Sequence, residues 1–194
     1  MAKLLYLRDI GPTEVGGFGI SNPDDLLLVE DIRLVEQVCS VVSVEFNDES
    51  VADFFDQQVD AGRQPEQFAR IWIHAHPGAS PSPSGTDEDT FDRCFGGVDW
   101  AVMHIIADEG NTYTRARFNV GPGTDKRLRS RTTFDYGFPA ADHEAWFTEY
   151  CENVTNDDSF SSTQLQHPID SVDWWDQEST AIDRWSTNLA EVLS

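Results

Sequence analysis

Residues 70–87, RIWIHAHPGASPSPSGTD, decide how this chain is read. The first five, Arg70 to His74, are rich in β-branched and aromatic side chains and read as a strand running into a loop. The loop that follows, PGASPSPSG, holds Pro77, Pro81 and Pro83, and each ring fixes its own φ, so the connection is stiff and extended. A helix is expected to start between Ser84 and Asp87, where S-x-x-D resembles a capping box. Written out, the pattern is H-x-H-x7-S-x2-D. Histidines at i and i+2 of a strand point to the same side of the sheet. Two adjacent imidazoles suit a divalent metal, because zinc accepts neutral imidazole nitrogens and a carboxylate oxygen and in catalytic sites keeps a fourth position open. His74 and His76 are therefore candidate ligands, and the stiff loop brings Asp87 back as a candidate third. A chain of this composition is expected to hold about 0.001 copies of the pattern by chance.

Working outward, residues 3–8 (KLLYLR) predict a short strand or a single helical turn. Residues 13–20 (TEVGGFGI) read as a glycine-loosened strand, with close backbone approach at Gly16, Gly17 and Gly19. A turn at Ser21-Asn22-Pro23-Asp24 leads into strand character over 26–46. There Val38, Val42, Val44 and Phe46 fall on one face of a period-2 pattern that Ser40 interrupts. Ser50 is the expected N-cap of a helix with Val51, Phe54, Phe55 and Val59 as its apolar stripe and Gly62 as its stop. Residues 100–107 and 112–119, on either side of Glu109-Gly110-Asn111, predict a β-hairpin. A helix over 142–154 is expected to turn Trp146, Phe147 and Tyr150 inward. Residues 1–154 thus form the main domain. A polar linker is expected over 155–175, and an amphipathic helix over 176–194 carries Ile182, Trp185, Leu189 and Val192. Trp174 and Trp175 are placed to anchor that segment on the body.

Composition narrows the function. Apolar residues are 39% and aromatics 11% of the 194, enough for a packed core and against a wholly disordered chain. No apolar run approaches the roughly eighteen residues of a membrane span, and MAKLLYLRDI lacks a signal-peptide pattern. Thirteen basic residues against 35 acidic ones give a net charge of −22, which argues against a nucleic-acid partner, since phosphates need a dense basic face. Cys39, Cys94 and Cys151 are odd in number and form no C-x-x-C, so they read as small buried hydrophobes in a reducing compartment, and the expected location is the cytoplasm.

H-x-H-x7-S-x2-D with an upstream glutamate resembles the motif of the JAMM metalloproteases, the catalytically competent branch of the JAB/MPN family. Glu14-Val15-Gly16-Gly17 is similar to the family's E-x-x-G element. The resemblance covers roughly residues 12 to 120. It implies an α/β fold, an α-β-α sandwich around a mixed β-sheet related to the cytidine deaminases, with 1–154 as the catalytic domain. It also implies zinc held by His74, His76 and Asp87. Glu14 would be the general base toward the attacking water and then proton donor to the leaving amine, and Ser84 would donate a hydrogen bond to the oxyanion. Glu30, Glu36 and Glu45 are the fallback carboxylates. The implied activity is hydrolysis of a peptide or isopeptide bond after the C-terminus of a ubiquitin-like protein. Two other functions compete: a zinc-binding scaffold without turnover, and a zinc amidohydrolase acting on a small amide.

Among the remaining residues, His104 lies in an apolar strand and reads as a satisfied core or edge histidine, while His143 and His167 are expected at the surface. Lys126, Arg127, Arg129 and Arg131 gather four of the thirteen basic residues into six positions, as a solvated loop or as a contact for an acidic segment. Gly121-Pro122-Gly123 reads as a turn and not a phosphate loop.

Overall fold

The N-terminal KLLYLR segment forms a helix, α1 (Ala2–Asp9), and not a strand or a single turn. Leu4 and Leu7, three residues apart, are both buried, and one-sided burial at that spacing is what a helix supplies. The structure, a computed structural model, describes residues 1–133 and 140–157. The elements after α1 are β1 (Val15–Ser21), β2 (Val29–Arg33), β3 (Gln37–Ser40), β4 (Ser43–Phe46), α2 (Asp48–Asp60), α3 (Pro65–Phe68) and β5 (Ile71–Ala75). They are followed by α4 (Gly85–Phe95), β6 (Trp100–Ile106), β7 (Thr112–Phe118), β8 (Thr124–Arg127), α5 (His143–Asn153) and β9 (Val154–Asn156).

Six strands form one mixed sheet in the order β2-β1-β5-β6-β7-β8. Only β5 and β6 run parallel, joined by the crossover through α4, and the other neighbours are antiparallel. Strand β5 sits inside the sheet and alternates cleanly. Trp72 joins one apolar core with Phe54, Phe68, Phe91 and Phe95 from α2, α3 and α4. Ile71, Ile73 and Ala75 join the opposite core with Leu4 and Leu7 of α1 and Tyr150 of α5. The result is a mixed α/β fold with helices on both faces of a mixed sheet. A smaller sheet, β4-β3-β9, lies beside it.

The hairpin expected over 100–119 is present as β6 and β7, joined by a 3-10 turn at Asp108–Gly110. The helix expected near Ser84 is α4, with Ser84 as N-cap in a reciprocal capping box with Asp87. The cap of α2 is Asn47 and not Ser50. The Asn47 side chain accepts the Ser50 N–H, and the Ser50 hydroxyl accepts the N–H of Glu36. The period-2 reading of 38–46 fails because the chain turns at Val41–Val42. Val38 pairs with Glu45 and Cys39 with Val44, so Gln37, Cys39, Val44 and Phe46 share a buried face and Ser40 is buried as well, while Val38 and Val42 are exposed. Phe147 is also exposed. Of the cysteines only Cys39 is buried, Cys94 and Cys151 being exposed free thiols. Thr155 and Asn156 extend the small sheet beside β3. The rest of the expected linker, the C-terminal helix, His167, Trp174 and Trp175 lie outside the described residues. Among the described residues no helix is long and apolar enough to cross a membrane.

Close approach is confirmed where glycines crowd β1. A Cβ built on Gly17 stands 2.6 Å from the carbonyl oxygen of Arg33 on β2. Gly17→Ala must push backbone against backbone, and the expected loss is about 1–3 kcal/mol, read as a lower denaturant midpoint at unchanged m-value.

Candidate metal centre

Three separate parts of the chain meet at one point. His74 lies on β5, and His76 follows it by two residues with its N–H on the carbonyl of Ile106 at the end of β6. Asp87 occupies the first turn of α4, delivered there by the proline-stiffened loop. Glu14 precedes β1, which pairs with β5 so that Val15 faces Ala75 and Gly16 faces His74. All four side chains are buried, and their ligand-capable atoms lie within 4.8 Å of one another.

The donor spacing fits a small tetrahedral cation. His74 Nε2 and His76 Nε2 are 3.1 Å apart, His74 Nε2 and Asp87 Oδ1 are 3.2 Å apart, and His76 Nε2 and Asp87 Oδ2 are 3.5 Å apart. Ligands at about 2.0–2.1 Å around a tetrahedral ion are separated by about 3.3 Å. Glu14 Oε1 stands slightly further out, 3.6 Å from His76 Nε2. The tautomer of His76 follows from its other side: Nδ1 lies 2.9 Å from the carbonyl oxygen of Ser80, which can only accept. Nδ1 therefore carries the proton, and in the neutral ring Nε2 presents a lone pair to the cluster. Asp87 Oδ2 accepts the backbone N–H of Ser84 at 2.6 Å, and Ser84 Oγ accepts the N–H of Asp87 at 3.1 Å. His74 is stacked on Trp72 with ring centroids 4.2 Å apart, and its Nδ1 is buried without a hydrogen-bond partner among the described residues.

The electrostatics separate the two carboxylates. In the metal-free protein burial alone drives Asp87 upward, but hydrogen bonds from His74 and from the protonated form of His76, the charge of His74 and the Ser84 N–H together hold it well below the usual range. Asp87 is thus the permanent anion. Burial pushes Glu14 up to about 7, with His76 opposing and the charge of Asp87 adding to the rise. One carboxylate suits cation ligation and the other suits proton transfer near neutral pH. Burial lowers His74, against the pull of Asp87. For His76 burial also works downward, but Asp87, the Ser80 carbonyl and Glu14 outweigh it and raise the ring.

The sequence-derived residues Glu14, His74, His76 and Asp87 are brought together, and Ser84 joins them as the cap of Asp87. Glu30, Glu36 and Glu45 are exposed and take no part. His104 bonds the Thr114 hydroxyl at 2.8 Å on the neighbouring strand, and burial, then the nearby His74, lower it to about 4. Three supporting groups escaped the sequence reading. Trp72 was within reach of it, since it shares a strand face with His74 at i−2. The Ser80 carbonyl had no signal, being backbone. Gln37 is the third: its side chain accepts the N–H of Gly16 and donates to the Gly16 carbonyl, both at 2.8 Å, clamping the strand just after Glu14. Ser40 adds a backbone bond, its carbonyl accepting the Glu14 N–H at 2.8 Å.

No protein-family model matches the chain, and no curated protein matches it. The donor set therefore stands on its geometry alone: a buried Glu/His/His/Asp group able to hold a metal ion.

Two outcomes are expected. Calorimetric titration of the metal-free protein with a divalent transition metal gives one site, lost in His74→Ala and Asp87→Asn, and at a free metal concentration of 100 times Kd the unfolding free energy rises by about 2.7 kcal/mol. The raised Glu14 makes a separate contribution of defined sign. Its folded pKa lies above its unfolded value of 4.5, so its contribution is fully present below 4.5 and is lost as pH rises through about 7. Glu14→Gln should accordingly stabilise the metal-free protein at pH 8, by on the order of 2 kcal/mol in denaturant melts, and do little at pH 4.

Proposed function

We propose that this chain is a zinc-dependent metallopeptidase of the JAMM type, with the JAB/MPN fold. The reaction is hydrolysis of a peptide or isopeptide bond just after the C-terminus of a ubiquitin-like protein. The observation that carries the reading is the buried convergence of Glu14, His74, His76 and Asp87 at tetrahedral donor spacing within the H-x-H-x7-S-x2-D frame. The mixed sheet with helices on both faces supports it.

Two imidazoles and one carboxylate favour zinc over magnesium or calcium, which prefer shells of oxygen. When bound, zinc lowers the pKa of water from 15.7 to about 7 and polarises a carbonyl. The chain's own residues supply the rest. His74 Nε2, His76 Nε2 and an Asp87 oxygen hold the ion, with the Ser80 carbonyl fixing the His76 ring and the Ser84 N–H fixing the Asp87 carboxylate. Glu14 is poised near neutrality by burial, and its Oε2 has no hydrogen-bond donor among the described residues, so that oxygen can accept a proton from the attacking water and deliver it to the leaving amine. Ser84 uses an oxygen lone pair on the Asp87 N–H, which leaves its O–H to donate to the developing oxyanion. The exposed free thiols of Cys94 and Cys151 suit the reducing cytoplasm.

The test is a zinc-loaded assay on a ubiquitin-like protein carrying a C-terminal extension. The intact protein cleaves, chelation stops it and zinc restores it. Glu14→Gln retains zinc and loses turnover, and Ser84→Ala retains zinc with kcat reduced by about 10²–10³. Zinc binding without cleavage of any fusion points to the scaffold reading, and turnover of small amides alone points to the amidohydrolase.

A further inference from the structure

Strand β8 ends the large sheet, paired with β7 on one side. Lys126 and Arg127 lie on it and Arg129 and Arg131 just beyond it, all exposed. Elsewhere the arginines are largely committed. Arg8 pairs with Asp9, Arg33 with Asp31, Arg70 with Glu66 and Asp99, and Arg93 with Asp48. Arg115 and Arg117 pair with Glu88, Asp92 and Asp125. Among the described residues the four cations at 126–131 make no ion pair, although the chain carries 35 acidic residues. Asp125, the carboxylate on β8 itself, is already taken by Arg115 and Arg117. The Arg127 guanidinium lies 3.9 Å from the centroid of the Tyr113 ring, a contact that orients the charge without neutralising it.

The backbone points the same way. Leu128 N–H donates to the Thr114 carbonyl at 2.9 Å, and Arg127 pairs opposite Arg115. Antiparallel alternation then turns the N–H and C=O groups of Asp125 and Arg127 away from β7, toward an edge that no strand among the described residues covers. Such an edge, with four cations that make no ion pair among the described residues, is a template for one more strand of opposite charge.

We propose that the β8 edge docks an extended acidic protein segment of a partner, which adds to the sheet as a further strand and sets its carboxylates against Lys126, Arg127, Arg129 and Arg131. The net charge of −22 does not forbid this. At physiological ionic strength the Debye length is about 8 Å, so a segment lying on β8 experiences the four local cations more than the distant acidic surface. A nucleic acid has phosphates to offer the cations but no ladder of amides for the strand edge, so a peptide satisfies both features and a polynucleotide one. This surface stands independently of the metal centre.

A fluorescent eight-residue peptide of two Glu-Glu-Val-Val repeats, which as a strand carries carboxylates on both faces, titrated against the full chain and read by anisotropy, tests the proposal. Binding is expected, weakened by added salt, and absent for the matching Lys-Val peptide. Lys126→Glu/Arg129→Glu should weaken it by roughly tenfold or more, with the milder Lys126→Gln/Arg129→Gln intermediate and thermal melts showing that both fold. N-methylation of alternate peptide amides, in the register that faces β8, should weaken it to a similar extent. No binding, indifference to both double variants, indifference to N-methylation in either register, or tighter binding of single-stranded DNA with the same sensitivity to the variants would each overturn it. Metal content and catalysis do not enter the readout, so a failure of the metallopeptidase reading leaves this result interpretable.

Discussion

Four ionisable side chains are held together in the interior, and the surrounding structure is built to keep them there. A buried carboxylate without partners is strongly penalised. Asp87 escapes the penalty because it sits at the start of α4, accepts the Ser84 N–H and faces two imidazoles. The positive end of a helix also favours an anion there. Its ionised state in turn stabilises the arrangement of the rings. Glu14, only 3.6 Å from His76, has fewer partners and is correspondingly easier to protonate. The inequality between two nearby carboxylates is what separates ligation from proton transfer.

Rigidity around the cluster comes also from groups that stand behind its backbone. Gln37 reaches from the small sheet and pairs with both backbone groups of Gly16, as a neighbouring strand would. The Ser40 carbonyl holds the Glu14 N–H directly, so β3 adds to the pairing of β1 with β5 in fixing that residue. On the other side, α4 is fastened to β7 by two hydrogen bonds that Arg115 donates to the carboxylate of Glu88, the residue next to Asp87. Arg115 and Arg117 also cover the Phe91 ring, at 5.4 and 4.9 Å. An ion pair on the surface contributes little alone, but a partly buried network that shares an aromatic platform resists the small rotations of α4 that would move Asp87.

Much of this was legible in the chain. H-x-H at the end of a strand, a proline-bound loop and a capping serine three residues before an aspartate are local patterns with local causes, and each appears in the structure. The failures are also local in origin. The period-2 run from Val38 to Phe46 hid a turn, because alternation counts residues and does not register a reversal of the chain. The N-terminal segment, expected as a short strand or a single turn, is an eight-residue helix because Leu4 and Leu7 declare a face only when α5 and the sheet lie against it.

The sequence by itself determined which side chains could bind a metal and which strand and helix would carry them, since residue type, strand periodicity and capping act over a few positions. The resemblance at Glu14-Val15-Gly16-Gly17 nominated Glu14 ahead of Glu30, Glu36 and Glu45, but only the tertiary structure brings it beside the other three side chains and leaves the fallback carboxylates exposed. Sixty residues separate Glu14 from His74, and the antiparallel pairing of β1 with β5, locked by Gln37, closes that distance. Such pairing depends on contacts between segments remote in the chain, and spacing along the sequence carries no record of them.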